Sequence, residues 1–282
     1  MNFGGIPEKY SDYAMAPIVV LPVPFDATST WIKGADRGPD AILEASANME
    51  LYDIETDSEV YLKGIHTARP VIEKSSPEDL AVKVHGQVST FLNDGKFVVT
   101  LGGEHSVTIG AVQAYAEKFP GISVLQIDAH TDLRPEYEGS RFNHACVMAR
   151  VREWCPIVQV GIRSMDVVEK PFISADRIFY AKDIVGGDRS WINKVVDKLS
   201  DQVYITIDLD GFDPSVLPAT GTPEPGGLYY YDVLYLIRTV IERKKLLGFD
   251  VVELCPADES KASDFLATKL IYQILSYNFI DK

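Results

Sequence analysis

Apolar runs of strand length alternate with amphipathic stretches of helix length along almost all of this 282-residue chain, which predicts an α/β fold. Repeated β-α alternation implies three layers, with a mostly parallel sheet of about eight strands covered by helices on both faces. No Pro/Gly/Ser-rich linker, internal repeat or low-complexity stretch breaks the pattern, so residues 1–282 read as one domain, long enough to bury a substantial core.

The first strand-like run is Ile18 to Val23, followed by a helical pattern near Pro39 to Asn48. Leu51 to Val71 is less periodic and holds one further strand, around Val60 to Leu62. A helix at Glu78 to Asn93 then precedes a strand at Phe97 to Leu101, and a helix at Val107 to Lys118 precedes a strand at Val124 to Ile127. Strand-like runs follow at Ile157 to Val160 and Ile178 to Ala181, then a helix at Ser190 to Leu199 and a strand at Val203 to Ile207. The last units are a helix at Tyr231 to Arg243, a strand at Leu247 to Val252 and a helix near Lys261 to Tyr277. The main composition break is Leu217 to Leu228, where Thr220 to Gly227 packs turn formers together. Its place just after an acidic cluster marks it as an active-site loop.

With 27 basic against 41 acidic residues, the formal charge of -14 argues against nucleic-acid binding and favours a small cationic partner. Cys146, Cys155 and Cys255 have neither paired nor zinc-type spacing, so no disulfide framework is expected and a reducing cytoplasm fits. No basic stretch with an apolar core follows Met1 and no apolar run approaches membrane-spanning length; a soluble, unprocessed protein with no membrane partner is expected. Neither a Gly-x-Gly-x-x-Gly at a helix start nor a phosphate loop occurs, which leaves nucleotide cofactors unsupported.

Clusters of ligand-type residues punctuate this frame: His105 within Gly102 to Ser106, then Asp128, His130 and Asp132, then His144, then Asp208 and Asp210, and finally Glu253. Two clusters follow apolar runs, and open α/β sheets place their sites at the carboxyl ends of strands. Residues two apart in extended backbone point the same way, so Asp128, His130 and Asp132 can meet Asp208 and Asp210 in one crevice. Four aspartates and two histidines form a hard, oxygen-rich set that suits two Mn²⁺ ions, with Zn²⁺, Co²⁺ or Ni²⁺ as alternatives. Two such ions lower the pKa of a bridging water enough to give hydroxide at neutral pH. A guanidinium substrate is itself cationic and needs a separate carboxylate, for which Glu253 is placed at the end of a strand. The departing amine needs a proton, and His144 titrates in the range to donate it.

This ordered set closely resembles the ureohydrolase family, which contains arginases and agmatinases, over nearly the whole chain. The segments that carry it are Gly-Gly-Glu-His-Ser at 102–106, Asp-Ala-His-Thr-Asp at 128–132, Asp-Leu-Asp-Gly-Phe-Asp-Pro at 208–214, Gly-Thr-Pro-Glu-Pro-Gly-Gly-Leu at 221–228 and Asp-Val-Val-Glu at 250–253. The resemblance implies an arginase/deacetylase-like fold, with His105, Asp128, Asp132 and Asp208 around one manganese and Asp128, His130, Asp208 and Asp210 around the other. It further implies His144 as proton shuttle, Glu253 as guanidinium receptor, Thr222 in its support, and a homotrimer or homohexamer. The implied reaction is agmatine plus water to putrescine and urea, a polyamine-producing step. Guanidinobutyrase, aminopropylagmatine ureohydrolase, arginase and formimidoylglutamase activities remain as alternatives. A single-zinc deacetylase would not need His105 together with Asp132, and a catalytically silent metal-stabilised oligomer would show no turnover.

The segment Leu133 to Cys146 looks more like agmatinases than arginases. Glu136 and Glu138 suit a distal ammonium, whereas Arg134 and Arg141 suit a carboxylate if they face the pocket. Glu104 reads as structural, Asp213 as equally a turn-former or a ligand, and His66 and His85 as structural or exposed. Cys146 and Cys255 read as packing groups, and Tyr229 to Tyr231 as helix-start packing or a subunit contact.

Overall fold

The computed structural model describes residues 1–280. Its strands are β1 (Ile18–Val23), β2 (Ile65–Thr67), β3 (Phe97–Gly102), β4 (Ser123–Ile127), β5 (Ile157–Ile162), β6 (Ile178–Tyr180), β7 (Gln202–Asp208) and β8 (Lys245–Val252). They form one sheet in the order β2-β1-β3-β8-β7-β4-β5-β6, and every pairing is parallel. The α-helices are α1 (Gly38–Ser46), α2 (Pro77–Asn93), α3 (Val107–Lys118), α4 (Val147–Val151), α5 (Ala181–Ile184), α6 (Ser190–Lys198), α7 (Tyr230–Arg243) and α8 (Ala262–Phe279).

The alternation of side chains along each strand builds the layers. Ile18 and Val20 of β1 share a core with Ile42 of α1 and Leu270 and Ile271 of α8, while α6 and α7 complete that face. Val19 and Leu21 join Leu80, Val84 and Val88 of α2 and Ile109 and Val112 of α3 on the other. Each such aliphatic side chain contributes about 1.5–3 kcal/mol when fully buried. Local signals agree with this packing: Ser76 caps α2 by accepting from Asp79 N at 3.1 Å, and Pro77 begins the helix.

The strand expected at Val60 to Leu62 is instead a 3-10 turn, Val60–Lys63, closed by Gly64 at φ +100. That turn redirects the chain so that Ile65 to Thr67 pair with Ile18 to Val20. A short apolar run does not by itself separate such a turn from a strand. Among the described residues no helix is long and apolar enough to cross a membrane.

From β3 the chain passes to β4 across two positions that β7 and β8 fill later. This rearranged order puts the carboxyl ends of β3, β8, β7 and β4 side by side, where a parallel sheet opens a crevice.

Candidate active site

At those four strand ends lies a cavity of about 290 Å³, lined among others by His105, His130, Asp132, His144, Asp208, Asp210 and Glu253. His105 follows β3, Asp128 to Asp132 follow β4, Asp208 ends β7 and Glu253 follows β8. Extended alternation does not align the paired residues. The chain turns after Ile127, with His130 N donating to Asp128 Oδ1 at 2.6 Å, and Asp210 lies on the 3-10 turn Leu209–Gly211, its N–H donating to Asp208 Oδ1 at 2.9 Å. Asp132 and Glu253 adopt left-handed φ of +51 and +64, a conformation that costs an L residue roughly 1–2 kcal/mol and is found where a site dictates it. Two glycines permit the close approach: a Cβ on Gly103 would overlap Phe25 O, and one on Gly211 would lie 2.9 Å from Asp128 N.

All six residues expected to hold metal meet here. His105 Nδ1 faces Asp132 Oδ2 at 2.9 Å, Asp128 Oδ2 at 3.3 Å and Asp208 Oδ2 at 3.4 Å. His130 Nδ1 faces Asp210 Oδ2 at 2.9 Å and Asp128 Oδ1 at 3.6 Å. Ligand atoms of His105, Asp128 and Asp132 lie within 4.8 Å of one another, as do those of Asp128, His130 and Asp210, so Asp128 belongs to both groups.

The hydrogen bonds behind His105 show that this set calls for a cation. Thr206 Oγ1 donates its one proton to the buried Asp250 at 2.6 Å, and His105 Nε2 lies 2.9 Å from the same oxygen. His105 Nε2 must therefore be the N–H, so a neutral ring turns the lone pair of Nδ1 toward three carboxylates. That buried Nδ1 has no hydrogen-bond partner; a divalent cation between it and the carboxylates removes the conflict. Tyr204 and Thr108 also donate to Asp250, at 2.8 and 2.9 Å, which fixes the carboxylate that orients the hydroxyl and through it the ring.

Protons substitute for that cation in the metal-free chain. Burial opposes charge on both rings, but Asp128 and Asp132 raise His105, and Asp210 and Asp128 raise His130, well above the ordinary histidine value. Burial and then the Asp128 charge push Asp132 up to about 7, and burial and then Asp210 push Asp208 well up. A raised histidine stabilises the fold at low pH and loses that contribution as pH rises through its folded pKa; a raised carboxyl also costs stability as pH rises and it ionises. Both act in one direction, so the EDTA-treated chain is expected to melt at falling temperature between about pH 6 and pH 9. Saturating Mn²⁺ replaces the protons and reverses the trend: at a hundredfold excess over Kd it adds about 2.7 kcal/mol, or roughly 5–10 °C for a chain of this size. Calorimetry with and without metal tests this, and an increment independent of pH would contradict it.

His144 lines the same cavity, but in the metal-free chain burial, then the charges of His130 and His105, lower it to about 4, below the near-neutral range expected for it. Glu253 Oε1 accepts from His105 N at 2.6 Å, and burial, then the charge of Glu104, push its pKa well up. Thr222 Oγ1 donates to Asp210 Oδ2 at 3.3 Å, so its support reaches Asp210 rather than Glu253. Glu104 is wholly buried and holds the loop after β1, accepting from Thr28 and Ser29 as well as from Ser106. Asp213 fixes the turn, accepting from Ser215, Gly226 and Gly227, while His66 meets Ser11 O and His85 meets Glu117.

The distal wall differs from expectation. Glu136 and Glu138 are exposed and do not line the cavity, and Arg141 pairs with Glu153 on the surface. Asp166 and Glu169, which follow β5, supply the carboxylates instead, and they hold Arg134 at 3.4 and 3.2 Å while its guanidinium covers the Tyr137 ring. Arg163 donates to the carbonyls of Asp210, Phe212 and Glu224 at 2.6, 3.2 and 2.8 Å, tying the turn-rich loop to the Asp210 turn. None of Thr28, Arg163, Asp166, Glu169 or Thr206 had a sequence signal of its own; Asp250 stood inside the Asp-Val-Val-Glu motif.

A family model described as "Arginase family" matches residues 16–276. The N(1)-aminopropylagmatine ureohydrolase of Synechocystis sp. is 40% identical, with 96% of this chain and 92% of the relative covered. The agmatinase of Pyrococcus horikoshii is 35% identical over 94% of this chain and 93% of its own. Among solved structures, the agmatine ureohydrolase of Thermoplasma volcanium superposes with a TM-score of 0.86 at 34% identity, covering 95% of this chain and 92% of that one.

Proposed function

The chain belongs to the arginase family and is a hydrolase of guanidino compounds, and from that premise we propose that it releases urea from a guanidino substrate with a polyamine tail, N1-aminopropylagmatine first and agmatine second. The observation that carries the reading is the buried carboxylate of Glu253 on the cavity wall beside the two metal-type groups, with Asp166 and Glu169 on the same cavity. A cationic head at one end and a cationic tail at the other match those two acidic places. On the same cavity Trp31, Ile32 and Met165 expose apolar surface that methylene groups can cover. Arg134 offsets one of the two distal charges, which leaves the wall acidic overall and ill suited to a carboxylate tail.

His105, Asp128, Asp132 and Asp208 would hold one divalent ion, and Asp128, His130, Asp208 and Asp210 the other; the oxygen-rich set favours manganese. Such ions, when bound, supply an acidified water and balance the charge of the aspartates. Glu253 accepts the guanidinium in a bidentate charge-assisted pair and so fixes the carbon under attack. His144 delivers a proton to the departing amine nitrogen, which leaves as the neutral amine.

Urea release from aminopropylagmatine, agmatine, arginine and guanidinobutyrate, with formamide release from formimidoylglutamate, tests the reading in the presence of Mn²⁺. The two amines with cationic tails are expected to lead. Asp166→Asn is expected to raise KM for aminopropylagmatine by about tenfold, the worth of one charge-assisted hydrogen bond at a half-exposed position, with less effect on agmatine and little on kcat. Preference for guanidinobutyrate would overturn the tail assignment, and no turnover of any substrate would leave a silent metal-stabilised oligomer.

A further inference from the structure

Thr28 stands in the loop after β1, outside every motif quoted above, and its hydroxyl touches three groups. Glu104 Oε1 lies at 2.6 Å, His144 Nδ1 at 3.1 Å and the backbone N of His144 at 3.0 Å. A hydroxyl offers one proton and two acceptor lone pairs. The His144 N–H can only donate, so it occupies one lone pair. Glu104 Oε2 receives two backbone N–H groups, Thr28 at 2.6 Å and Ser29 at 3.0 Å, and Oε1 receives Ser106 Oγ at 2.7 Å. A carboxylate at the centre of those donors is an acceptor and takes the single Thr28 proton. Only the second lone pair then remains for His144 Nδ1, and an N–H is what satisfies it.

We propose that Glu104 and Thr28 are positioning residues that fix His144 as its Nδ1–H tautomer and so keep Nε2, on the far side of the ring, as the nitrogen that exchanges protons with the cavity. The kinetic consequence rests on the guanidino-hydrolase reading; the tautomer is a property of the fold. Tyr137 packs edge-on against the ring, with centroids 6.3 Å apart, and opposes its rotation. In one turnover Nε2 takes a proton from solvent and passes it to the departing amine nitrogen, while the Nδ1 proton stays on Thr28 Oγ1 throughout. The ring returns to the form in which it started, with no rotation between cycles. The opposite tautomer would set two lone pairs against each other at 3.1 Å and place a proton on Nε2 before the ring had accepted one.

Long-range ¹H–¹⁵N correlation NMR on the full-length metal-free chain reads the tautomer directly, since the sequence holds 5 histidines and a His144→Gln variant identifies the signal. The Nδ1–H pattern is expected for the wild type and for Thr28→Ser, and a mixture for Thr28→Val, which keeps the shape and loses the hydroxyl. In the Mn²⁺-loaded enzyme Thr28→Val is expected to lower kcat by about 10–100-fold, the usual cost of losing a partner that fixes a histidine's tautomer and less than loss of the acid–base group itself, with KM and bound metal little changed; Thr28→Ser restores it. An Nε2–H pattern in the wild type overturns the proposal, as does a Thr28→Val chain that keeps both tautomer and kcat or loses its metal. A wild type that turns over no guanidino compound would defeat the proposed function, while the NMR pattern still decides the tautomer.

Discussion

Asp128→Asn is expected to strip the chain of both divalent ions and to slow urea release by at least about 10³-fold, because the water chemistry that those ions supply is worth several kcal/mol. Among the six ligand-type residues Asp128 is the one present in both compact groups. It is wholly buried, and although burial opposes its charge, the facing His105 and His130 rings hold its pKa far below the ordinary aspartate value. The side chain is thus an anion even without metal, and its amide analogue removes that charge from the centre of the set. The amide also conflicts with its surroundings. Gln126 Nε2 donates to Asp128 Oδ2 at 2.6 Å, and Gln126 is itself oriented by Gln159 at 2.6 Å, while His130 N donates to Oδ1. An asparagine NH₂ must face one of those donors in either orientation. Elemental analysis of the purified variant beside urea assays checks the outcome; two bound ions and a near-normal rate would remove Asp128 from the shared position.

Much of this site is legible in the sequence because its ligands are local to strand ends. Asp128 and Asp208 each close an apolar run, and topology alone then brings β4 and β7 together as neighbours. The detailed alignment was not legible. Spacing by two suggests extended backbone, yet Asp210 reaches the site from a 3-10 turn and Asp132 from a left-handed residue, while Asp210 N bonds to Asp208 and His130 N to Asp128. Contacts across long stretches of chain left no pattern at all: Thr28 meets Glu104 and His144 at separations of 76 and 116 residues. Glu136 and Glu138 show the converse: near His144 in the chain, they are exposed and do not line the cavity. Asp166 and Glu169, which do line it, come from the segment after β5, where the sequence carries no motif. The agmatine assignment rests on the segment Leu133 to Cys146, whose Glu136 and Glu138 lie outside the cavity, and the 40% identical relative is an aminopropylagmatine ureohydrolase.

Glu253→Gln separates substrate capture from metal binding more sharply than any other change. Glutamine has nearly the same shape, and its side-chain oxygen can still accept from His105 N, the bond of 2.6 Å that aims Glu253 in the wild type. The left-handed backbone at φ +64 and the bond from Glu253 N to Gly103 O at 2.7 Å do not involve the carboxylate. What disappears is the negative charge, and with it the bidentate partner of the guanidinium; kcat/KM is expected to fall by about 10²–10³-fold, as for a buried ion pair that loses one member, with bound metal retained. The same charge is a burden to the empty fold. Burial, and then repulsion from Glu104 and Asp210, raise the Glu253 pKa well above the ordinary value. A carboxyl raised in the folded state lowers stability as pH climbs through that raised value, and glutamine has nothing to ionise. The metal-free variant should therefore melt at the same temperature as wild type below about pH 4, where the unfolded carboxyl is also protonated, and increasingly above wild type from there up to about pH 9. Lost turnover accompanied by gained stability is a combination that damage to the fold cannot produce. A variant that melts lower than wild type at alkaline pH, or that keeps full activity, would show that Glu253 is held by a permanent partner rather than waiting for a cation.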